Sequence, residues 1–236
     1  MLTGAGHFLF RYRNAMFPFA CVLLFLPGPD PFPDPMLAAG VGAVIAAFGQ
    51  LMRAATIGLK YVVRGGRAGR VYAEDLVTDG LYAHTRNPMY LGNLLIMAGL
   101  AVASNSWATL ALALPLGLFM YASIVAAEEE YLQQRFGAAF NAYCREVPRW
   151  LPRMAGLRST LSSMRFCWRR LVVKEYGTPF GWISILVLMT LYNLRISGLW
   201  GGRPLHVHFL KDVLLITTIA WFIAWFLKRS RRLTGD

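Results

Sequence analysis

The amino-acid sequence predicts an all-α fold, a polytopic membrane helix bundle of about six spans. Three observations carry that prediction. Hydrophobic residues make up 56% of the 236-residue chain and charged residues 15%, a balance typical of integral membrane proteins rather than water-soluble domains. About six apolar segments follow one another, separated by turns or polar stretches, and a helix needs roughly 20 apolar residues to cross a bilayer. Lys and Arg are sorted unevenly between the intervening loops, as they are in membrane proteins.

The first apolar segment, near residues 14–28, follows Arg11 and Arg13. Pro27-Gly28-Pro29-Asp30-Pro31 comes after it in place of a small-residue cleavage site, so the segment is read as a retained span. The second, near 36–58, contains "AAGVGAVIAAFG", a small-residue pattern for close helix packing. It also carries Arg53, which must face protein or snorkel to the surface. The third and fourth, near 88–104 and 106–127, are joined by Ala103-Ser104-Asn105-Ser106, a tight turn that makes them an antiparallel hairpin. The fifth and sixth lie near 179–196 and 210–227. The first and last are short for a span and need tilt or flanking anchors. Three regions follow: N-terminal spans at 1–59, a core at 60–153 containing the 88–127 hairpin, and a basic connector with two further spans at 154–236.

The chain carries 24 Lys and Arg against 12 Asp and Glu, a net charge of +12. The loop at 28–35 has Asp30 and Asp34 and no cation, whereas 60–87, 128–178 and both ends are basic. This assigns 20 of the 24 cations to one side and places both termini in the cytoplasm. The excess charge is absorbed by topology and by contact with anionic membrane lipids, so nucleic acid is not the expected partner. "RGGRAGR" at 64–70 lacks the strand and helix context of a phosphate loop and reads as a basic, lipid-facing segment. The connector "LRSTLSSMRFCWRRLVVK" is amphipathic enough to lie on anionic lipid. Cys21, Cys144 and Cys167 have no paired spacing. His206 and His208, expected on the outer loop at 195–211, have only Asp212 nearby, so no metal site is expected.

Two polar clusters flank the hairpin. At one end, "EDLVTDGLYAHTRNPMY" contains the turn signal Asp79-Gly80, then Asn87 as a candidate N-cap and Pro88 in a first helical turn. Tyr82 and Tyr90 fall at interface depth, and His84 reads as an interface residue. At the other end Glu128, Glu129 and Glu130 are adjacent. If the helix stops there they oppose its dipole; if it continues through "YLQQRFGAAFNAYCREV" they crowd at the membrane boundary. Either way they call for a compensating cation, and Arg86, Arg135 and Lys60 are the candidates within the chain.

"LVTDGLYAHTRNPMYLG", followed by a hairpin and then "EEEYLQQRFGAAFNAYCREVPRWLP", resembles the isoprenylcysteine carboxyl methyltransferase family of integral membrane methyltransferases and the related phospholipid methyltransferases. The matching core runs from about Leu76 to Pro152; residues 160–236 lie outside it. The resemblance implies S-adenosyl-L-methionine bound in a pocket at the cytoplasmic end of the hairpin and closed by the segment after Glu128. The implied cofactor-binding residues are Leu76, Val77, Tyr82, Asn87, Pro88, Met89, Tyr90, Glu128 and Glu129. Their chemistry suits the cofactor: a Glu for its ammonium, Tyr faces for a cation, and a helix start for its carboxylate.

The resemblance also implies a lipophilic or small-molecule acceptor reached from the bilayer. Three positions depart from the family pattern. Glu74 and Asn87 stand where the family often has His, and Ile124 stands where members acting on prenylcysteine have an Arg for the substrate carboxylate. The core is also similar to that of sterol-type reductases, which would use a nicotinamide cofactor; no obvious phosphate-reading Arg pair lies beside the pocket, which argues against that reading, though Arg64, Arg67 and Arg70 keep it open. A lipid-binding protein without catalysis is the third reading. No general base is identified.

Overall fold

A computed structural model describes residue 4 and residues 6–12, 21–59 and 73–230. Part of the first apolar segment, the 64–70 basic loop and Lys60 lie outside the described residues. Among the described residues the secondary structure is helical, and four helices are long and apolar enough to cross a membrane.

The first of these, α1 (Pro35–Leu59), starts where the sequence signals it. Asp34 Oδ1 accepts from Met36 N–H at 2.9 Å, and Pro35 fills the position whose N–H has no partner. Arg203 Nη1 lies 2.7 Å from the same carboxylate and, with the Met36 N–H, holds the Asp34 carboxyl below its usual pKa.

Helices α2 (Pro88–Ala103) and α3 (Trp107–Phe136) form the expected hairpin. Asn105 takes the left-handed conformation at φ 53° and bridges to Phe32, accepting from its N–H and donating to its carbonyl at 3.0 Å each. Ser106 caps α3 by accepting from Thr109 N–H. α2 has 16 residues, short for a span. It lies against α1 without intervening side chains: a Cβ on Gly42 would meet Gly99 O at 2.3 Å, and one on Gly49 would meet Gly92 O at 2.5 Å.

The structure resolves the alternatives at the glutamates: α3 runs on through them to Phe136, 30 residues in all. At 1.5 Å per residue, Glu128 stands roughly 30 Å from the start of α3, about one hydrocarbon thickness. Gly137, at φ +51°, then breaks the helix in a conformation unfavourable to L side chains, and α4 (Ala138–Glu146) turns away. The connector folds as α5 (Leu157–Ser163) and α6 (Trp168–Glu175) before α7 (Gly177–Ile196) and α8 (Pro204–Arg229).

The last helix corrects the sequence reading. It begins at Pro204 rather than near 210, because Arg203 and Pro204 supply an N-cap position and a first-turn proline. His206 and His208 are therefore helical rather than part of a loop. α8 buries only Val207 and Leu210 and turns residues such as Ile216, Phe222 and Phe226 outward, as a lipid-facing helix does.

The loops sort to two ends. Residues 29–34, 104–107 and 193–203 meet at one, through Trp107 N–H to Pro29 O, Asn193 Nδ2 to Ser104 O and the Asp34–Arg203 pair. The described parts of the long polar segments meet at the other, where Cys167 N–H bonds Gly58 O and the 84–87 stretch pairs with 147–153.

Candidate functional site

The polar clusters on either side of the hairpin converge at the second of these ends. The chain after Gly80 makes a single 3-10 turn, Gly80–Ala83, which buries Leu81 and Tyr82. Residues 84–87 then run beside 147–153: Arg86 N–H donates to Pro148 O and Arg153 N–H to His84 O, each at 2.9 Å. Side chains reinforce the pairing. The Thr85 hydroxyl donates to Trp150 O, and Asn87 Nδ2 donates to Arg149 O at 3.2 Å. The segment after the glutamates thus closes over the start of α2.

His84 is a buried member of this joint rather than an interface residue. It is 2% exposed, with Nδ1 2.6 Å from Arg153 O and Nε2 2.9 Å from the Thr160 hydroxyl. The carbonyl requires Nδ1 to donate. Asn87 corrects a second expectation. It occupies the N-cap position of α2, and its carbonyl accepts from Leu91 N–H, but its side chain does not cap. The amide turns instead to Arg149, and Oδ1 remains buried without a hydrogen-bond partner among the described residues. A buried acceptor left without a donor costs energy and marks a place for one.

The three glutamates have separate environments. Glu128 is 2% exposed and accepts from the Tyr90 hydroxyl at 2.5 Å. Glu129 is held by two guanidiniums: Arg86 Nη1 at 3.3 Å, and Arg149, whose Nε and Nη2 donate to its two oxygens. Arg86 was an expected partner; Arg149 was not. Arg135, also expected, instead reaches Glu74 O at 3.4 Å. Glu130 faces His7 Nε2 at 3.1 Å on the exposed side.

The remaining predicted residues line the same region. Leu76 packs into a cluster with Ala73, Leu132, Phe140, Tyr143 and Val147, beside half-buried Val77. The Tyr82 carbonyl accepts from Tyr143 Oη at 2.8 Å. Pro88 is buried and Met89 half-buried at the start of α2. Ile124, one turn before Glu128, is 1% exposed and sits under Leu9 and Phe10 of the helical residues 6–12, together with Met120, Tyr90 and Tyr131.

Two features were missed by sequence reasoning. One is an apolar cavity of about 160 Å³ reaching into the bundle, lined by Leu24, Ile96, Met97, Gly117, Met120 and Tyr121, with Asn93 and Thr178 on its wall. The Tyr121 ring lies 5.6 Å from that of Tyr90, which links the cavity to the Glu128 cluster. The other is a buried ion pair. Arg53 Nε and Nη2 donate to the two oxygens of Glu175 at 2.6 and 2.7 Å, and Nη1 donates to Asn93 Oδ1. Arg53 thus faces protein, and α6 is tied to α1 and α2.

The donor set fits S-adenosylmethionine. Glu128 offers a carboxylate for an ammonium, Asn87 Oδ1 an acceptor for an amino hydrogen, Tyr90 an aromatic face, and α2 a helix N-terminus. Among the described residues no group of three or more His, Cys, Asp or Glu is arranged to hold a metal ion.

Comparison with known proteins finds relatives over part of the chain. The nickel-cobalt-cadmium resistance protein NccN of Alcaligenes xylosoxydans xylosoxydans is 35% identical over 86 residues, 36% of this chain and 39% of that protein. The cobalt-zinc-cadmium resistance protein CzcN of Cupriavidus metallidurans is 38% identical over 81 residues, 34% of this chain and 37% of that protein. The protein-S-isoprenylcysteine O-methyltransferase of Schizosaccharomyces pombe is 36% identical over 78 residues, 33% of each chain. The chain therefore spans 33% to 39% of the length of these relatives. No solved structure matches. The model of the phospholipid methyltransferase family matches residues 34–139, a stretch that contains α1, the α2–α3 hairpin and all three glutamates. Over residues 34–139, somewhat less than half of its length, this chain is similar to the phospholipid methyltransferase family.

Proposed function

We propose that the chain is an integral membrane methyltransferase that binds S-adenosylmethionine at the Tyr90–Glu128 cluster and methylates a lipophilic or small acceptor. The observation that carries this reading is the meeting of the Tyr90–Glu128 pair with the start of α2, where Asn87 Oδ1 is buried without a hydrogen-bond partner among the described residues. Glu129 is neutralised by Arg86 and Arg149 and holds the closing segment. Glu128, buried one residue earlier on α3, accepts from the Tyr90 hydroxyl at the start of α2, close to the buried Asn87 Oδ1. When bound, the cofactor supplies an electrophilic methyl group on a sulfonium. Glu128 and Asn87 Oδ1 bind its amino groups, and Leu76, Val77, Tyr82, Pro88 and Met89 complete the walls. The segment at 147–153 excludes water from above. The apolar cavity beside Tyr121 receives the acceptor's hydrocarbon part, which leaves positioning as the main contribution to rate. The site lies on the cytoplasmic side, with both termini.

Calorimetric titration of the purified protein tests the reading. Saturable binding of S-adenosylhomocysteine, with none of a reduced nicotinamide dinucleotide, is the expected result. The reverse selectivity would establish the reductase reading, and binding of neither would leave a lipid-binding protein.

A further inference from the structure

We propose that a groove on the outer face of the bundle, between α1, α6, α7 and α8, binds one anionic phospholipid of the surrounding bilayer. The groove has a volume of about 370 Å³ and lies in the part of the chain that the family match leaves uncovered, apart from its α1 wall. Val172, Phe180, Trp221 and Ala224 give it apolar walls, with Trp221 stacked on Phe180 at 5.1 Å between centroids. Tyr176 closes one end, and Lys228 Nζ stands 5.0 Å over its ring. Lys228 lies 24 residues into α8, roughly 36 Å from its start, which places its ammonium beyond the hydrocarbon at headgroup depth. Arg229 follows it, over the ring of Trp225.

The charges decide the occupant. Three aromatic rings beside a carboxylate would otherwise suit a quaternary ammonium. Here the carboxylate, Glu175, has both oxygens engaged by Arg53 and Gln50. The exposed face of Tyr176 carries a cation of the protein's own. A cationic headgroup is therefore repelled at the groove mouth, and a phosphate beside Lys228 is attracted. An acyl chain lies along Trp221, Phe180 and Ala224, surfaces that face lipid in any case.

Full-length protein in a non-ionic detergent, titrated with dioleoylphosphatidylglycerol or dioleoylphosphatidylcholine, tests the site. Native mass spectrometry counts retained lipid, and thermal unfolding gives an apparent affinity. One copy of phosphatidylglycerol should be retained in preference to phosphatidylcholine. Lys228→Gln should weaken its apparent affinity about five-fold, the effect of one cation at a membrane surface. Ala224→Trp fills the groove from a lipid-facing position and should abolish retention while the protein stays monodisperse. Equal retention of the two lipids, or none, overturns the proposal. So does retention that survives both substitutions and is lost only on replacing Arg169 and Arg170, which marks diffuse attraction to α6. None of these residues lies in the proposed methyltransferase site, so failure here leaves that reading untouched.

Discussion

The Tyr90 hydroxyl donates to Glu128 Oε1 across 2.5 Å and joins the first turn of α2 to α3, 38 residues later. If this pair binds the cofactor ammonium, each partner has a distinct effect. Glu128→Ala should abolish measurable binding of S-adenosylhomocysteine without unfolding the protein. Tyr90→Phe removes a hydrogen bond to a charged group, worth about 1.5–3 kcal/mol, and should weaken binding by roughly ten-fold or more. Calorimetry on monodisperse variants checks both; unchanged affinity in Glu128→Ala removes this residue from the site.

The acceptor should not be a prenylcysteine carboxylate. Ile124 is sealed beneath Leu9 and Phe10, so a carboxylate placed there would be desolvated without a partner. Arg149 is the cation that folds back from the later segment, and it is spent on Glu129. A neutral or amine headgroup, or a small thiol, is expected instead. Labelled S-adenosylmethionine offered with farnesylated cysteine, amine lipids and thiols gives the answer. Saturable labelling of farnesylated cysteine alone would refute the prediction.

Breaking the Arg53–Glu175 pair from one side should be costly. Arg53→Met leaves a buried carboxylate, and Glu175→Leu leaves a buried guanidinium, each destabilising by about 3–5 kcal/mol. The double substitution should recover most of that loss, because neither charge is then left unpaired. Thermal unfolding in detergent of the four proteins provides the cycle, and strict additivity would show that the pair is not coupled.

Both termini should be cytoplasmic. The cation bias predicts it, and the structure brings His7 beside Glu130 and Lys228 beside Tyr176, at the end of the bundle that holds the candidate site. Cysteines added at either terminus should resist an impermeant thiol reagent in intact cells and react after permeabilisation. Labelling of one end in intact cells would break the assignment.

Features set by neighbouring residues were legible in the sequence. Ser104-Asn105-Ser106 turns the hairpin and Pro88 opens α2, because caps and turns are decided within a few residues. The two polar clusters stood out through the spacing of their motifs, and the structure brings them together. Pairings across long separations were not. Arg53 announced a need for a partner, but nothing local pointed to Glu175, 122 residues away. The partners of the His84 and Asn87 side chains were hidden for a related reason: the 147–153 segment that engages them arrives from beyond α3 and α4. His206 was placed in a loop because its polarity hid the Arg203-Pro204 start signal.

The two glycine contacts between α1 and α2 fall seven residues apart on each helix, Gly42 and Gly49 facing Gly99 and Gly92. A seven-residue recurrence keeps one stripe of each helix turned toward its neighbour at a shallow crossing. With backbone against backbone at two levels, neither helix can roll or slide without a clash, so the pair behaves as a rigid strut. The start of α2, and the proposed cofactor residues on it, are therefore a fixed wall. If the proposed cofactor binds here, opening for its exchange comes from the opposite side, where 147–153 is latched by hydrogen bonds and the Arg149–Glu129 contact rather than by interlocked backbone. Exchange kinetics should follow the strength of that latch, while the strut sets where the cofactor comes to rest.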